Sequence, residues 1–202
     1  MMGLRPPYVL MPYSASGIHA EYYCSKYPDE IEGLILLDAT PSVEAVAREW
    51  GWTSDEIIEA RVELESYIPP TEEEIEAAIE RDLDDYIQLG YTKEELTEIY
   101  NTPNCRRTIL AQELQAPDNM REVMALEIPK AIPILAICSA LAEIEDDSLR
   151  TEWFNRHKEH MSRLGAERIK SVTIKGSKHG NISCHPDYLK IICKEVDAFL
   201  IK

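Results

Sequence analysis

The sequence lacks long apolar stretches and has few basic residues. No apolar run approaches the ~18 residues of a membrane-spanning helix, and no secretory leader is recognisable. Its 21 Lys and Arg residues are outnumbered by 37 Asp and Glu residues, which gives a formal net charge of −16. Because nucleic-acid binding depends on cationic side chains that neutralise phosphates, this balance disfavours a nucleic-acid partner. Because the sequence shows neither a membrane-spanning run nor a recognisable leader, we expect a cytoplasmic protein with no membrane partner.

Cysteine is scarce, and its positions are scattered. The five cysteines are Cys24, Cys105, Cys138, Cys184 and Cys193. Their spacing matches no metal-binding pattern, so the sequence predicts neither a metal site nor another cofactor. Free thiols in a reducing cytoplasm are expected. With 202 residues, 45% of them hydrophobic, the chain is long enough for one domain, or for one domain with a lid.

An apolar run, a serine-bearing turn and a helical pattern follow one another near the start of the chain. Tyr8–Met11 is typical of a strand buried on both faces, and Ile18–Tyr27 predicts a helix. Between them stands Ser14, with Pro12 two positions before it and Ser16 two positions after it. This order is that of a nucleophile elbow, in a relaxed form because glycine usually occupies both flanking positions. The pattern also fits an ordinary strand-to-helix turn in which Ser16 caps the helix.

Two later stretches each place one candidate catalytic residue after a predicted strand. Gly33–Leu37 is an apolar run that is followed at once by Asp38. Ser171–Lys175 predicts another strand, and the loop after it carries His179 between two glycines. The other four histidines lie on or beside predicted helices, where a lone histidine is usually a surface or packing residue. His179 is therefore the preferred candidate for a catalytic base.

Taken together, three stretches resemble the α/β-hydrolase superfamily: PPYVLMPYSASG, KYPDEIEGLILLDATP and GSKHGNISCHPDYLK. They look like its nucleophile strand, acid strand and histidine loop, in the family's chain order Ser, Asp, His. The resemblance covers about residues 5–42 and 129–202. It implies an α/β fold whose parallel sheet carries helices on both faces. The predicted strands are 7–12, 33–38, 132–138 and 170–175.

Residues 43–128 carry helical patterns and no strand signal. Three predicted helices begin near Ser54, Thr71 and Thr92. Two more cover Asn104–Gln115 and Asn119–Leu126. An all-helical insertion between two strands of such a sheet is typical of a lid that shapes a substrate pocket. The alternative is a helical addition without a gating role. The predicted domains are thus a hydrolase core, 1–42 with 129–202, and a helical cap, 43–128.

The resemblance also assigns a catalytic triad. Ser14 corresponds to the nucleophile and His179 to the base that takes its proton, while a carboxylate orients the imidazole. Asp38 is the preferred acid, because the LDATP segment around it looks like the LD-x-x-P variant found in some family members. The commoner family position follows the next strand, which leaves Glu143 or Asp146 as alternative acids.

The start of the chain bears on activity and on partners. The backbone N–H of Ala15 is the expected oxyanion donor, whereas the family's second donor precedes the nucleophile strand. We expect a partial fold that lacks the N-terminal strands, with Tyr8–Met11 as an exposed edge open to self-association or to a partner. The predicted function is a serine hydrolase, esterase-like or amidase-like, acting on a small-molecule ester or a related substrate. The alternative is a non-catalytic or truncated hydrolase-like protein that needs a missing N-terminal half or a partner.

Overall fold

The computed structural model describes residues 5–66, 71–88, 91–100 and 105–201. Within the helical segment, the predicted helix start at Asn104 lies outside the described residues. The chain divides into two compact units, one formed by residues 1–49 with 118–202 and the other by residues 50–117. Every strand described below belongs to the first unit.

Four strands form one sheet in the order β1-β2-β3-β4. The strands are β1 (Tyr8–Leu10), β2 (Ile31–Leu37), β3 (Ile134–Ser139) and β4 (Ile169–Ile174). All three pairings are parallel. Each strand end lies within two residues of its predicted position, and the predicted parallel α/β sheet is confirmed.

The helices follow the predicted alternation with strands. In chain order they are α1 (Ser16–Lys26), α2 (Glu44–Glu49), α3 (Ser54–Glu65), α4 (Glu72–Gln88), α5 (Lys93–Tyr100), α6 (Cys105–Met124), α7 (Asp147–Leu164) and α8 (Pro186–Leu200). A short 3₁₀ turn, Pro28–Glu30, connects α1 to β2. Among the described residues, no helix is both long enough and apolar enough to cross a bilayer.

Helices cover both faces of the sheet, and β2 shows why the sequence requires this. Successive side chains of a strand point to opposite faces, so a continuous apolar run needs cover on both sides. Leu34 and Leu36 join a buried cluster that contains residues of α1 and α7. Ile35 and Leu37 join a second cluster that contains residues of α8.

Strand β1 differs from the expectation for it. The sequence predicted that Tyr8–Met11 would be buried on both faces, but Val9 is 36% exposed and Met11 is 44% exposed. The reason is position, because β1 is the terminal strand of the described sheet and pairs with β2 alone. Self-association or partner binding at this edge stays a prediction.

The unit of residues 50–117 is helical in its described part. Each of its first three helices is preceded by a threonine whose hydroxyl accepts the backbone N–H of a glutamate three residues later. The carboxylate of that glutamate accepts the backbone N–H of the threonine in return, which is the reciprocal arrangement of a capping box. These pairs are Thr53 with Glu56, Thr71 with Glu74, and Thr92 with Glu95. The first helix therefore takes its cap from Thr53, one residue before the predicted start at Ser54. Helix α6 runs through Pro117 as one element, so the prediction of two helices there is wrong.

The packing of α1 against the loop after β2 depends on Gly17. A Cβ atom built on Gly17 would lie 2.8 Å from the Cβ of Ala39. Neither atom can rotate away, so Gly17→Ala should lower the free energy of unfolding by about 1–3 kcal/mol through overpacking. Urea denaturation tests this, with Gly180→Ala as the matched control, because a Cβ at Gly180 meets nothing within 4 Å. A loss no greater in Gly17→Ala than in Gly180→Ala would contradict the packing argument.

Candidate active site

Ser14 lies at the apex of the turn between β1 and α1. Its φ angle is 56°, in the left-handed region that costs a non-glycine residue about 1–3 kcal/mol. Ser16 holds the turn: its hydroxyl donates to the Tyr13 carbonyl oxygen at 2.6 Å and accepts from the Tyr13 N–H at 2.9 Å. Both of these contacts join the Ser16 hydroxyl to the backbone of the turn.

Three backbone N–H groups of the elbow are bonded within the turn. The N–H groups of Ser16, Gly17 and Ile18 donate to carbonyl oxygens within the turn, at 3.1–3.2 Å. The Ala15 N–H lies outside these bonds and directly follows the Ser14 carbonyl. This is the amide that the sequence assigns as oxyanion donor.

Asp38 stands at the end of β2, next to the elbow. Its backbone also lies in the left-handed region, with φ 42°. Its side chain is 3% exposed, and its Oδ1 accepts the Ser139 N–H at 2.7 Å. Two residues on, the Thr40 N–H donates to the Ser14 carbonyl oxygen at 3.0 Å. Asp38 and the elbow are therefore fixed to each other through the backbone.

His179 lies in the loop after β4 and connects the other two side chains. Its Nδ1 is 2.7 Å from Asp38 Oδ2, and its Nε2 is 3.0 Å from Ser14 Oγ. This geometry corresponds to a tautomer in which Nδ1–H donates to the carboxylate and Nε2 accepts from the serine hydroxyl. The structure thus brings Ser14, His179 and Asp38 together in a continuous chain of hydrogen bonds.

The contacts of His179 and Asp38 shift the pKa values of both side chains. The hydrogen bond from His179 to Asp38, helped by the carboxylate charge and opposed by burial, raises the pKa of the imidazole. Burial disfavours the ionised form of Asp38, but the hydrogen bonds from His179 and Ser139 outweigh it and lower the pKa of that carboxyl group. The Asp38 carboxyl group is therefore more acidic, and the His179 imidazole more basic, than each would be as a free side chain.

The two alternative acids have other partners. Glu143 Oε1 accepts the backbone N–H of His179 at 2.8 Å. Asp146 is the N-cap of α7, where it accepts the N–H groups of Ser148 and Leu149. The carboxylate that contacts the His179 ring is Asp38.

Sequence reasoning missed the residues that hold the histidine loop. The Tyr13 ring stacks on the His179 ring with centroids 5.0 Å apart, and its hydroxyl donates to the His179 carbonyl oxygen. Ser177 is buried, and its hydroxyl accepts the Ala140 N–H at 3.2 Å, which joins the loop after β4 to the loop after β3. Nothing in the spacing of these residues signals such contacts, although the position of Tyr13 beside Ser14 is a hint.

Comparisons with known proteins bear on the fold. No protein-family model matches the chain. A 36-residue stretch is 56% identical to uncharacterized protein YbdG of Bacillus subtilis (strain 168), covering 18% of this chain and 11% of that protein. A match of this length carries no conclusion about the whole chain.

Solved structures match nearly the whole chain. Wild-type Cfl2 from Burkholderia cenocepacia matches with a TM-score of 0.52 and 16% identity, over 96% of this chain and 66% of that one. The epoxide hydrolase CorEH matches with a TM-score of 0.53 and 14% identity, over 95% of this chain and 66% of that one. A thermophilic esterase from Thermogutta terrifontis matches with a TM-score of 0.50 and 17% identity, over 96% of this chain and 65% of that one. This chain has the α/β-hydrolase fold. It spans about two thirds of the length of these relatives, and at such identities the likeness establishes the fold alone.

Within the α/β-hydrolase fold, the three side chains come from three strand ends. Ser14 follows β1, Asp38 follows β2, and His179 follows β4. Because the strands are parallel, all three lie at the carboxyl edge of the sheet, where open α/β sheets bind ligands. The chain order Ser, Asp, His and the spatial arrangement therefore agree.

A buried ionic cluster lies behind the elbow of this α/β-hydrolase fold. Glu21 of α1 is fully buried and accepts hydrogen bonds from three groups: the His160 ring at 2.6 Å, the Ser42 hydroxyl at 3.0 Å, and the Arg163 guanidinium. Burial disfavours its charge, but His160 and Arg163 outweigh burial and lower the pKa of Glu21. The cluster ties α1 to α7 and to the loop that follows Asp38.

Removal of the Glu21 charge should destabilise the fold strongly. Glu21→Gln leaves the partly buried Arg163 guanidinium without its counter-charge, and breaking a buried pair in this way typically costs about 3–5 kcal/mol. Urea denaturation measures the loss, with Glu159→Gln as the control, because Glu159 is an exposed residue of α7. Equal stabilities of the two variants would show that the cluster contributes nothing.

Proposed function

We propose that this chain carries the catalytic core of a serine hydrolase that cleaves a small-molecule ester or a related acyl bond. The observation that carries the proposal is the continuous chain from Ser14 Oγ through the His179 ring to the Asp38 carboxylate, with distances of 3.0 and 2.7 Å. Nucleophile, base and orienting carboxylate within hydrogen-bond reach are the requirements of nucleophilic acyl transfer. The strained backbone at Ser14 and Asp38 adds support, since such strain concentrates at functional sites.

In the proposed reaction, His179 Nε2 takes the Ser14 proton as Oγ attacks the ester carbonyl carbon. The Ala15 N–H stabilises the oxyanion of the tetrahedral intermediate, and Asp38 stabilises the imidazolium. The imidazolium then gives its proton to the departing alkoxide, which leaves an acyl group on Ser14. Water, deprotonated by His179, attacks this acyl group, and collapse of the second intermediate releases the acid and restores the Ser14 hydroxyl.

We further propose that residues 43–128 act as a cap that selects substrates. The support is its position in the chain, since it enters between β2, which ends beside Asp38, and β3. A cap in this position selects substrates by the shape of their acyl or alcohol part. Hydrolysis rates on p-nitrophenyl esters of increasing acyl length would reveal such selection as a rate maximum.

The pH dependence of ester hydrolysis tests the proposal. Only neutral His179 can accept the Ser14 proton, and its pKa is raised above the usual value of 6.5, chiefly by the hydrogen bond to Asp38. We expect kcat/KM for a p-nitrophenyl ester to be full above this raised pKa and to fall as the pH drops through it. In Asp38→Asn the fall in kcat/KM should occur at lower pH, because the carboxylate that raises the pKa of His179 is gone. The proposal would be contradicted if kcat/KM fell at the same pH in Asp38→Asn as in the wild type, or if the wild type showed no turnover above background.

A further inference from the structure

A cysteine and a histidine outside the triad converge on Asp38. Cys138 is the next-to-last residue of β3, and the register that pairs Leu37 with Ile137 brings Asp38 and Cys138 to the same level of the sheet. His157 reaches the same point from α7, with its Nδ1 3.9 Å from Cys138 Sγ. One donor atom from each residue lies within 4.8 Å of the other two.

The chemistry of these three donors fits a tetrahedral metal ion. Zn²⁺ binds thiolate sulfur at about 2.3 Å and imidazole nitrogen or carboxylate oxygen at about 2.0–2.2 Å, which places tetrahedral ligands about 3.4–3.6 Å apart. The present separations, at most 4.8 Å, exceed this by no more than about 1.4 Å, a movement within reach of side-chain adjustment. A fourth position would be open to water.

The protonation states are mixed but compatible with binding. Burial lowers the pKa of His157 to about 4, so its ring is neutral at pH 7 and able to act as a ligand. The Asp38 carboxylate is ionised, and the bonds from Ser139 and His179 leave lone pairs on its oxygens. Burial raises the pKa of Cys138 to about 12, and a metal would displace the thiol proton on binding.

We infer that Asp38, Cys138 and His157 form a binding site for a divalent transition-metal ion of the zinc type, and that the bound metal competes with His179 for the Asp38 carboxylate. The bound ion would weaken the hydrogen bond that orients the His179 ring. Metal occupancy therefore inhibits the hydrolase, and chelation restores it. Binding itself does not depend on the proposed hydrolase function, whereas inhibition rests on it.

Cobalt absorption tests the binding, because a thiolate ligand gives Co²⁺ a near-ultraviolet charge-transfer band. Wild-type protein titrated with Co²⁺ should show this band, and Zn²⁺ should displace it. Cys138→Ala should lose the band, and His157→Asn should weaken Co²⁺ binding at least about 10-fold, as expected for loss of one ligand of a small set. The matched controls are Cys193→Ala and His19→Asn, since both side chains are exposed, and both variants should keep the band.

Zinc X-ray absorption on the wild type tests the site without any substitution. The expected first shell contains one sulfur at about 2.3 Å together with nitrogen or oxygen at about 2.0–2.2 Å. A shell without sulfur, or a cobalt band that persists in folded Cys138→Ala, would overturn the site.

Ester turnover gives a separate readout of competition. The ratio of rates without and with saturating Zn²⁺ should be about 10 or more in the wild type and in Cys193→Ala, since loss of the orienting carboxylate alone costs up to ~10⁴. In Cys138→Ala the ratio should approach 1. Equal ratios in Cys138→Ala and Cys193→Ala would refute inhibition through this site. A protein that binds Co²⁺ through sulfur but hydrolyses no ester would refute the hydrolase and leave the metal site standing.

Discussion

Ser14→Ala should reduce ester hydrolysis to the background rate. The Ser14 hydroxyl is the only nucleophile that contacts His179 Nε2 among the described residues, and removal of a triad serine costs on the order of 10⁶ in kcat. The measurement is kcat for a p-nitrophenyl ester, corrected for spontaneous hydrolysis. Circular dichroism should show an unchanged fold, because Ser14 is at the surface of the turn and only partly buried.

Ser16→Ala is the control for this expectation. Among the described residues, the Ser16 hydroxyl bonds only to the Tyr13 backbone. Its loss should therefore loosen the turn and lower the rate about 10-fold or less, in line with one neutral hydrogen bond of about 1 kcal/mol. If Ser16→Ala lost all activity while Ser14→Ala kept it, the two serines would exchange roles and the assignment of the elbow would be wrong.

Asp38→Asn should lower kcat by about 10⁴, because the amide cannot hold the His179 tautomer or stabilise the imidazolium. The side chain is 3% exposed and 2.7 Å from Nδ1, so water cannot replace it readily. Steady-state kinetics on the same ester give the value. The comparison variant is Glu143→Gln, which keeps an acceptor for the His179 N–H and should cost about 10-fold or less.

These two variants also decide between the two acid positions that the sequence left open. A loss in Glu143→Gln as large as that in Asp38→Asn would move the catalytic acid to the loop after β3. Equal and small losses in both variants would mean that no carboxylate is needed, which contradicts the triad.

The parts of the fold that the sequence predicted are those set by local patterns. The aliphatic runs predicted each end of the four strands to within two residues of its position in the structure. A run that is apolar at every position requires cover on both faces of a sheet, which makes such strands recognisable. Thr71 and Thr92 begin capping boxes where the sequence placed helix starts. Ser14, Asp38 and His179 could be chosen because each follows a predicted strand, and parallel strands end at one edge.

Other features of the site and the core depend on contacts between segments that are far apart in the sequence, and no local pattern predicts such contacts. Glu21 and Arg163 are 142 positions apart, and only the packing of α1 on α7 brings them together. The stacking of Tyr13 on His179 and the convergence of Cys138 with His157 have the same origin. Helix α6 continues through Pro117, although a proline removes one backbone hydrogen bond and usually kinks or breaks a helix, so the local pattern indicated a break that the structure does not have.

The most direct test of the catalytic assignment is covalent labelling with a fluorophosphonate, which reacts with an activated serine hydroxyl far faster than with an ordinary one. The label should add once per chain, and peptide mass spectrometry should place it on Ser14. Labelling should be absent from Ser14→Ala, retained in Ser16→Ala, and strongly slowed in His179→Ala, where no base accepts the proton. An unlabelled wild type, or a label that remains in Ser14→Ala, would contradict the account of Ser14 as a nucleophile activated by His179 and Asp38.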